Sequence, residues 1–147
     1  MVLTGFLGGS TPDSRGRYIN EIYSLSDQEI ENTHDFIQWV FPLREASRAV
    51  FNAPVLSEHD VRDIRDNEMA QENLSRSSDW YLGFLKRNKH WMTKYDHNHL
   101  RITRAIKSIR LLVGDQEADK LRTQIFEILG DAKSNIDPKA VSFWMDA

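Results

Sequence analysis

The sequence predicts an all-α protein, arranged as a single irregular bundle of about six or seven helices. Two observations favour this class. Apolar residues recur with helical spacing along most of the chain, whereas no segment of any length alternates apolar and polar residues as a strand does. Serine and aspartate also stand repeatedly just before these segments, where helix N-caps are expected. With 147 residues and 40% hydrophobic content, the chain is long enough to form one domain with a sizeable core.

The chain is predicted to begin with a loop over residues 1–17 and to continue as a helical core over residues 18–147. Four of the seven glycines precede Tyr18, and turn-forming residues accompany them. A short helix is then predicted from Tyr18 to Leu25.

A capping box of Ser26 and Glu29 predicts a second helix that begins at Ser26. Pro42 places the end of this helix near Phe41. His34 and Gln38, four residues apart, are expected beside its buried stripe.

The elements that follow are a short helix or irregular connector at 42–54, a polar helix that begins after Ser57 and breaks near Asn67, a helix over 67–88, a loop over 87–96, a helix over 97–113, a helix over 115–129 and a last helix from Pro138. Asp96, Asp115 and Asp137 are the predicted N-caps of the last three helices.

Composition excludes several classes of function. The net charge of −3 and the pI near 5.9 argue against a nucleic-acid binder. Without cysteine, disulfides and thiol catalysis are impossible. The chain has neither a secretory signal nor an apolar run of the roughly 18 residues that a membrane span needs, so a cytoplasmic location without a membrane span is expected. No cofactor is expected, and the oligomeric state is left open.

The helix after Asp96 organises the rest of the prediction. Its apolar residues, from Ile102 to Val113, fall on one face. His97, Arg101, Arg104 and Ser108 lie within roughly 40° of one another on a stripe that borders this face. Such a stripe is either a solvated basic edge, with arginine stems covering the core, or a partly desolvated ligand site.

Two segments of the chain resemble the signature segments of the opioid growth factor receptor (OGFr) conserved domain. They are His34-Asp-Phe-Ile-Gln-Trp-Val-Phe-Pro-Leu43 and His97-Asn-His-Leu-Arg-Ile-Thr-Arg104. Further matches are Asp13, Gly16-Arg17, Glu21-Ile22, Ala53-Pro54 and Phe143-Trp144, so the resemblance covers nearly the whole chain, and it is greatest to short bacterial single-domain members. Animal proteins of this family are described as enkephalin receptors, but family membership alone does not establish a ligand.

The predicted site combines the polar residues that these motifs share. His34 and His97 are the candidate catalytic residues, because histidine exchanges a proton near neutral pH. Arginine can hold a carboxylate or phosphate through two parallel hydrogen bonds. The candidate ligand-binding residues are Asp13, Arg17, Gln38, Asn98, Arg101 and Arg104.

Three functions remain open from the sequence. The leading one is a helical domain whose pocket, between the His34 and Arg101 helices, binds an anionic small molecule or peptide. The second is an enzyme of specialised metabolism, with His34 or His97 as acid or base and Arg101 and Arg104 as an anion clamp. The third is a structural or protein-interaction domain, in which Trp80, Trp91 or Trp144 is exposed.

Two alternatives compete with a ligand site at these residues. The arginines can instead pair with Asp13, Asp35 and Asp96 in a structural network. A zinc site of His34, His97 and Asp96 is conceivable but not favoured, and no metal is predicted. Glu31 and His34 have the Glu-x-x-His spacing of di-iron bundles, but the second copy that such a site requires is missing from the sequence.

Overall fold

Helices supply all the regular secondary structure in the computed structural model, which describes residues 2–147. Within that range there are nine α-helices, five of them seven residues or longer, and no strand. The predicted all-α class is therefore confirmed. The helices are α1 Val2–Leu7, α2 Ile19–Tyr23, α3 Asp27–Asn32, α4 Ile37–Val40, α5 Glu58–Asp66, α6 Glu68–Arg87, α7 His97–Leu112, α8 Asp115–Leu129 and α9 Pro138–Asp146, with a 3₁₀ helix at Gly130–Asn135. None of the helices formed by residues 2–147 is long and apolar enough to cross a membrane.

The chain divides into two compact units, and the boundary between Ser77 and Ser78 falls within α6. In the first unit, α1 packs against α4 and α5. In the second unit, α7 packs against both α8 and α9. A single domain over residues 1–147 remains a prediction.

The prediction of a loop over residues 1–17 is wrong for Val2–Leu7, which form α1. Leu3, Phe6 and Leu7 are buried, and their spacing of three and four residues puts them on one helical face. Burial of this apolar face therefore favours a helix, although the nearby glycines favour a loop. Gly5 serves close packing, because a Cβ there would lie 2.5 Å from the Thr11 hydroxyl oxygen. Met1 lies outside the described residues.

The continuous helix predicted from Ser26 to Phe41 is also wrong. Ser26 caps α3 as predicted, by accepting a hydrogen bond from the backbone N–H of Glu29. The helix ends at Asn32, however, and the backbone of Thr33 is extended. The next stretch, Phe36–Leu43, is buried throughout. Because a helix with one apolar face could not bury such a continuous run, the chain breaks at residues 33–36 before α4.

Later elements follow the prediction closely. Residues 42–54 form the irregular connector, Ser57 caps α5, and the helix breaks at Asn67. In the second unit Asp96 caps α7 and Asp137 caps α9. One cap is wrong, because Asp115 is the first residue of α8 and Gly114 occupies the N-cap position. A φ of 149° at Gly114, which residues with a side chain rarely adopt, explains glycine there.

Candidate functional site

Asp13 and Arg17, two of the predicted ligand-binding residues, form an ion pair in the first unit. The Asp13 carboxylate accepts hydrogen bonds from the backbone N–H groups of Arg15 and Arg17, at 2.9 and 3.0 Å. It also accepts one from Arg17 Nε at 2.8 Å. Arg17 Nη1 in turn lies 3.0 Å from the Asp35 carboxylate. Both groups are therefore engaged in a network that closes the loop before α2.

His34 and Gln38 have contrasting environments in the same unit. His34 lies exposed in the break between α3 and α4. The residue interacts with another group of the protein. Gln38 lies buried in α4, and its Oε1 atom has no hydrogen-bond partner among residues 2–147.

The other predicted residues lie on α7 in the second unit. Asn98 is fully buried; its Oδ1 accepts a hydrogen bond from the Tyr81 hydroxyl at 2.7 Å, and its Nδ2 donates one to Asp96 at 2.9 Å. Arg101 is buried and Arg104 is half-buried. Both residues interact with other groups of the protein, so neither is free.

A cleft of about 460 Å³ lies between the start of α7 and the start of α9. His97 is the one predicted site residue that lines it. The remaining lining residues were not part of the predicted site: Tyr95, Asp96, His99, Leu100, Asp137, Lys139, Ala140 and Phe143.

Two helices begin at this cleft. Their starts are held together by a 3.1 Å hydrogen bond from the Asp137 backbone N–H to the Lys94 carbonyl. The carboxylates of Asp96 and Asp137 accept hydrogen bonds from the backbone N–H groups of Asn98 and Lys139. These carboxylates therefore satisfy helix N–H groups, and each lies next to the positive end of a helix dipole, which offsets its charge.

Exposed apolar side chains and Lys139 line the cleft, and the Lys94 ammonium lies against the ring of Tyr95, one of the lining residues. Tyr95, Leu100 and Phe143 are 70%, 68% and 46% exposed. The Lys94 ammonium lies 5.3 Å from the centre of the Tyr95 ring, and the Lys139 ammonium lies 6.0 Å from that of Phe143. Such cation–π contacts hold positive charge against the aromatic walls. The cleft therefore combines apolar surface with cations.

His99 connects the cleft to the core of the second unit. Only 6% of its surface is exposed, and its Nε2 lies 2.7 Å from the Trp91 carbonyl oxygen. Its ring meets the edge of Trp144 at 5.5 Å, and its carbonyl accepts a hydrogen bond from Trp144 Nε1. Trp91 and Trp144 are both fully buried, so the expectation that either is exposed is wrong; Trp80 is half-buried.

An ion network fixes the far end of α9. Arg110 donates hydrogen bonds to Asp115, to Asp119 and to the carbonyl of Ala147. Arg122 bonds both Asp119 and the carbonyl of Met145. The hydrogen bond from Arg110 holds the pKa of Asp119 below its usual value. The hydrogen bonds to the carboxylates of Asp119 and Asp115 raise the pKa of Arg110. Because α9 is held at both ends, the wall of the cleft that it forms is well positioned.

Most residues of this cleft lie outside the predicted site, which followed one stripe of α7. His99 is two residues from His97, a spacing that puts side chains on different faces of a helix, yet both residues line the cleft. The available signals were the two aspartate caps and the Phe143-Trp144 pair. They mark the starts and the packing of α7 and α9, but periodicity alone does not say which helix starts meet.

The fold and this cleft define a small all-α domain with polar signature residues at helix starts. The chain belongs to the family of the opioid growth factor receptor conserved region, whose family model matches residues 11–145. This membership confirms the resemblance to that family, whereas the likeness to short bacterial members stays a prediction.

Several curated relatives carry the same region. Over 98 residues the chain is 32% identical to the opioid growth factor receptor of Mus musculus and 31% identical to that of Homo sapiens; these alignments cover 54% of this chain and 15% and 14% of the relatives. It is 27% identical to opioid growth factor receptor-like protein 1 of Mus musculus, over 64% of this chain and 24% of the relative. The chain thus spans less than a quarter of the length of these relatives. No solved structure matches it.

Proposed function

We propose that this domain binds an anionic ligand, in the form of a peptide or a small molecule, in the cleft between α7 and α9. The observation that carries this proposal is the presence of His97 and Lys139 in one cleft with the starts of two helices. Helix N-termini favour negative charge, and the ammonium groups of Lys94 and Lys139 add to this preference. Asp96 and Asp137 also lie in the cleft, but they oppose the binding of an anion less than free carboxylates would, because each of them caps a helix.

A peptide fits the cleft better than a small anion. Tyr95, Leu100 and Phe143 extend apolar surface along its border, and inorganic anions make no use of such surface. Peptide recognition commonly combines apolar pockets with charged contacts at their rim. The relatives are named as receptors for an opioid growth factor, and a binding role for this chain is in line with that name.

Two further predictions accompany this proposal. An anion clamp at Arg101 and Arg104 remains a prediction; these residues do not line the cleft, so a clamp there requires their present interactions to rearrange. Acid–base catalysis by His34 or His97 also remains a prediction. A cytoplasmic location is part of the proposal, since a chain without cysteine needs no oxidising compartment.

Calorimetric titration with defined probes tests the proposal. The probes are the capped acidic peptide acetyl-Glu-Leu-Glu-Phe-Glu-amide, the same peptide with lysine in place of glutamate, and inorganic phosphate. We expect the acidic peptide to bind most tightly and its affinity to fall as salt rises. Binding of the lysine peptide with equal or higher affinity would contradict the proposal, and so would the absence of binding by both anions.

A matched pair of variants locates the binding. Lys139→Gln should lower the affinity for the acidic peptide about two- to fivefold, the range expected for an exposed charge contact. Lys133→Gln is the control, because Lys133 also lies over an aromatic ring, that of Phe126 at 5.2 Å, but does not line the cleft. Equal weakening by both variants would place the binding elsewhere.

A further inference from the structure

His99 is one of the residues that line the cleft, and the hydrogen bond at one of its ring nitrogens determines the role of the other. A backbone carbonyl can only accept, so the contact between Nε2 and the Trp91 oxygen places a proton on Nε2. In the neutral imidazole, Nδ1 then carries a lone pair and is an acceptor. Nδ1 has no hydrogen-bond partner among residues 2–147. Since His99 lines the cleft, this acceptor can serve a ligand.

An acceptor in a cleft that otherwise favours anions restricts the ligand. Phosphate and simple carboxylates at neutral pH present mainly acceptors, so they do not satisfy Nδ1. A peptide in an extended conformation presents main-chain N–H donors, and its side chains can be acidic and apolar in turn. The acceptor at Nδ1 matches the N–H donors of such a peptide, the ammonium groups match its acidic side chains, and the apolar surface matches its apolar side chains.

We infer that the ligand is an acidic peptide that donates one main-chain N–H to His99 Nδ1. Its carboxylates face the ammonium groups of Lys94 and Lys139, and an apolar side chain packs between Leu100 and Phe143. This inference rests on the proposed function, which requires only an anionic ligand. His99 is thereby a specificity-determining residue that distinguishes a peptide from a free anion.

Nuclear magnetic resonance of ¹⁵N-labelled histidine tests the inference directly. In the free protein we expect His99 to be the tautomer with its proton on Nε2. Addition of acetyl-Glu-Leu-Glu-Phe-Glu-amide should shift the Nδ1 resonance of His99. One member of a set of analogues, each N-methylated at a single amide, should bind more weakly and leave that resonance unshifted, because it lacks the donor.

A variant provides an independent measurement. His99→Phe keeps a ring that can pack against Trp144 but removes the acceptor at Nδ1 together with the donor at Nε2. The variant should bind the parent peptide about two- to tenfold more weakly, as expected for one hydrogen bond. The sensitive N-methylated analogue should show no further loss on this variant, since both changes remove the same bond. If the variant does not fold, the resonance measurement on the parent protein decides.

The outcomes separate the inference from the proposed function. Peptide binding without any change at His99 Nδ1 overturns the inference and leaves the function standing. The same conclusion follows if phosphate binds and peptides do not, or if the free protein carries the proton of His99 on Nδ1. Failure of all anions to bind overturns both. Self-association of the chain through this cleft, detected by sedimentation and abolished by Phe143→Ser, would replace the peptide with a second copy and also overturns the inference.

Discussion

Replacing Arg17 with glutamine separates a structural role from a ligand-binding role for the Asp13 loop. The Asp13 side chain is fully buried, and the Arg17 side chain is 21% exposed. Removing one partner of a buried ion pair costs about 3–5 kcal/mol. Asp13 keeps its two hydrogen bonds to backbone N–H groups, and the pair lies near the surface. We therefore expect Arg17→Gln to lower the free energy of unfolding by about 2–3 kcal/mol, below that range.

Arg15→Gln is the matched control. Arg15 lies in the same loop and also pairs with Asp35, at 3.0 Å, but its side chain is 71% exposed. Such a pair contributes little, and the change should cost less than about 0.5 kcal/mol. Urea unfolding followed by tryptophan fluorescence measures both variants, and the midpoint for Arg17→Gln should fall by about 1 M.

The two variants give a clear contradiction if they behave alike. Equal stability of Arg17→Gln and Arg15→Gln would show that the Asp13 pair does not hold the loop. If Arg17→Gln instead remained stable but lost affinity for the acidic peptide, Arg17 would belong to the binding site, as the sequence predicted.

Two further predictions concern the core of the first unit. Phe41 is fully buried, so Phe41→Ala should cost about 3–5 kcal/mol in urea unfolding, and a loss under about 1 kcal/mol would contradict its assignment to the core. Burial raises the pKa of Tyr23 to about 12 from its usual 10.0, and its hydroxyl bonds Ser77 and the Asn73 carbonyl. Because the unfolded chain releases this proton first, the contribution of Tyr23 to stability is complete below pH 10 and is lost as the pH rises towards 12. Tyr23→Phe should be less stable than the parent protein near neutral pH, and the difference should shrink above pH 10; a constant difference in melting temperature would contradict the raised pKa.

The helices with one apolar face were predictable from the sequence. In α7, the stripe from Ile102 to Leu112 is buried as predicted, and Asp96 caps the helix. Local signals suffice here because a helix buries residues at fixed spacing and a cap satisfies its own N–H groups.

The errors occur where tertiary packing decides. The helix over Val2–Leu7 buries three apolar side chains despite the glycines around them. The break at residues 33–36 arises because the following segment is buried on all sides, a property that spacing does not reveal. Tertiary burial thus overrides the local preference at both places.

The candidate site was predictable only in part. His97 was identified, since an exposed histidine at a helix start in a signature segment is a clear signal. The partners of His97 come from α9, about forty residues later, and their approach depends on the hydrogen bond between Asp137 and Lys94. The helical spacing predicts one surface for His97 and Arg101, but Arg101 is buried and His97 is exposed, so the two side chains do not share a surface.

The most direct test of an anion-binding cleft between α7 and α9 is a map of backbone amide shifts during titration with the acidic peptide. The proposal predicts that saturable shifts concentrate at residues 94–100 and 137–143, and that they are smaller in Lys139→Gln than in Lys133→Gln. Shifts confined to the loop of Asp13 and Arg17, or to α7 beyond Arg101, would contradict it.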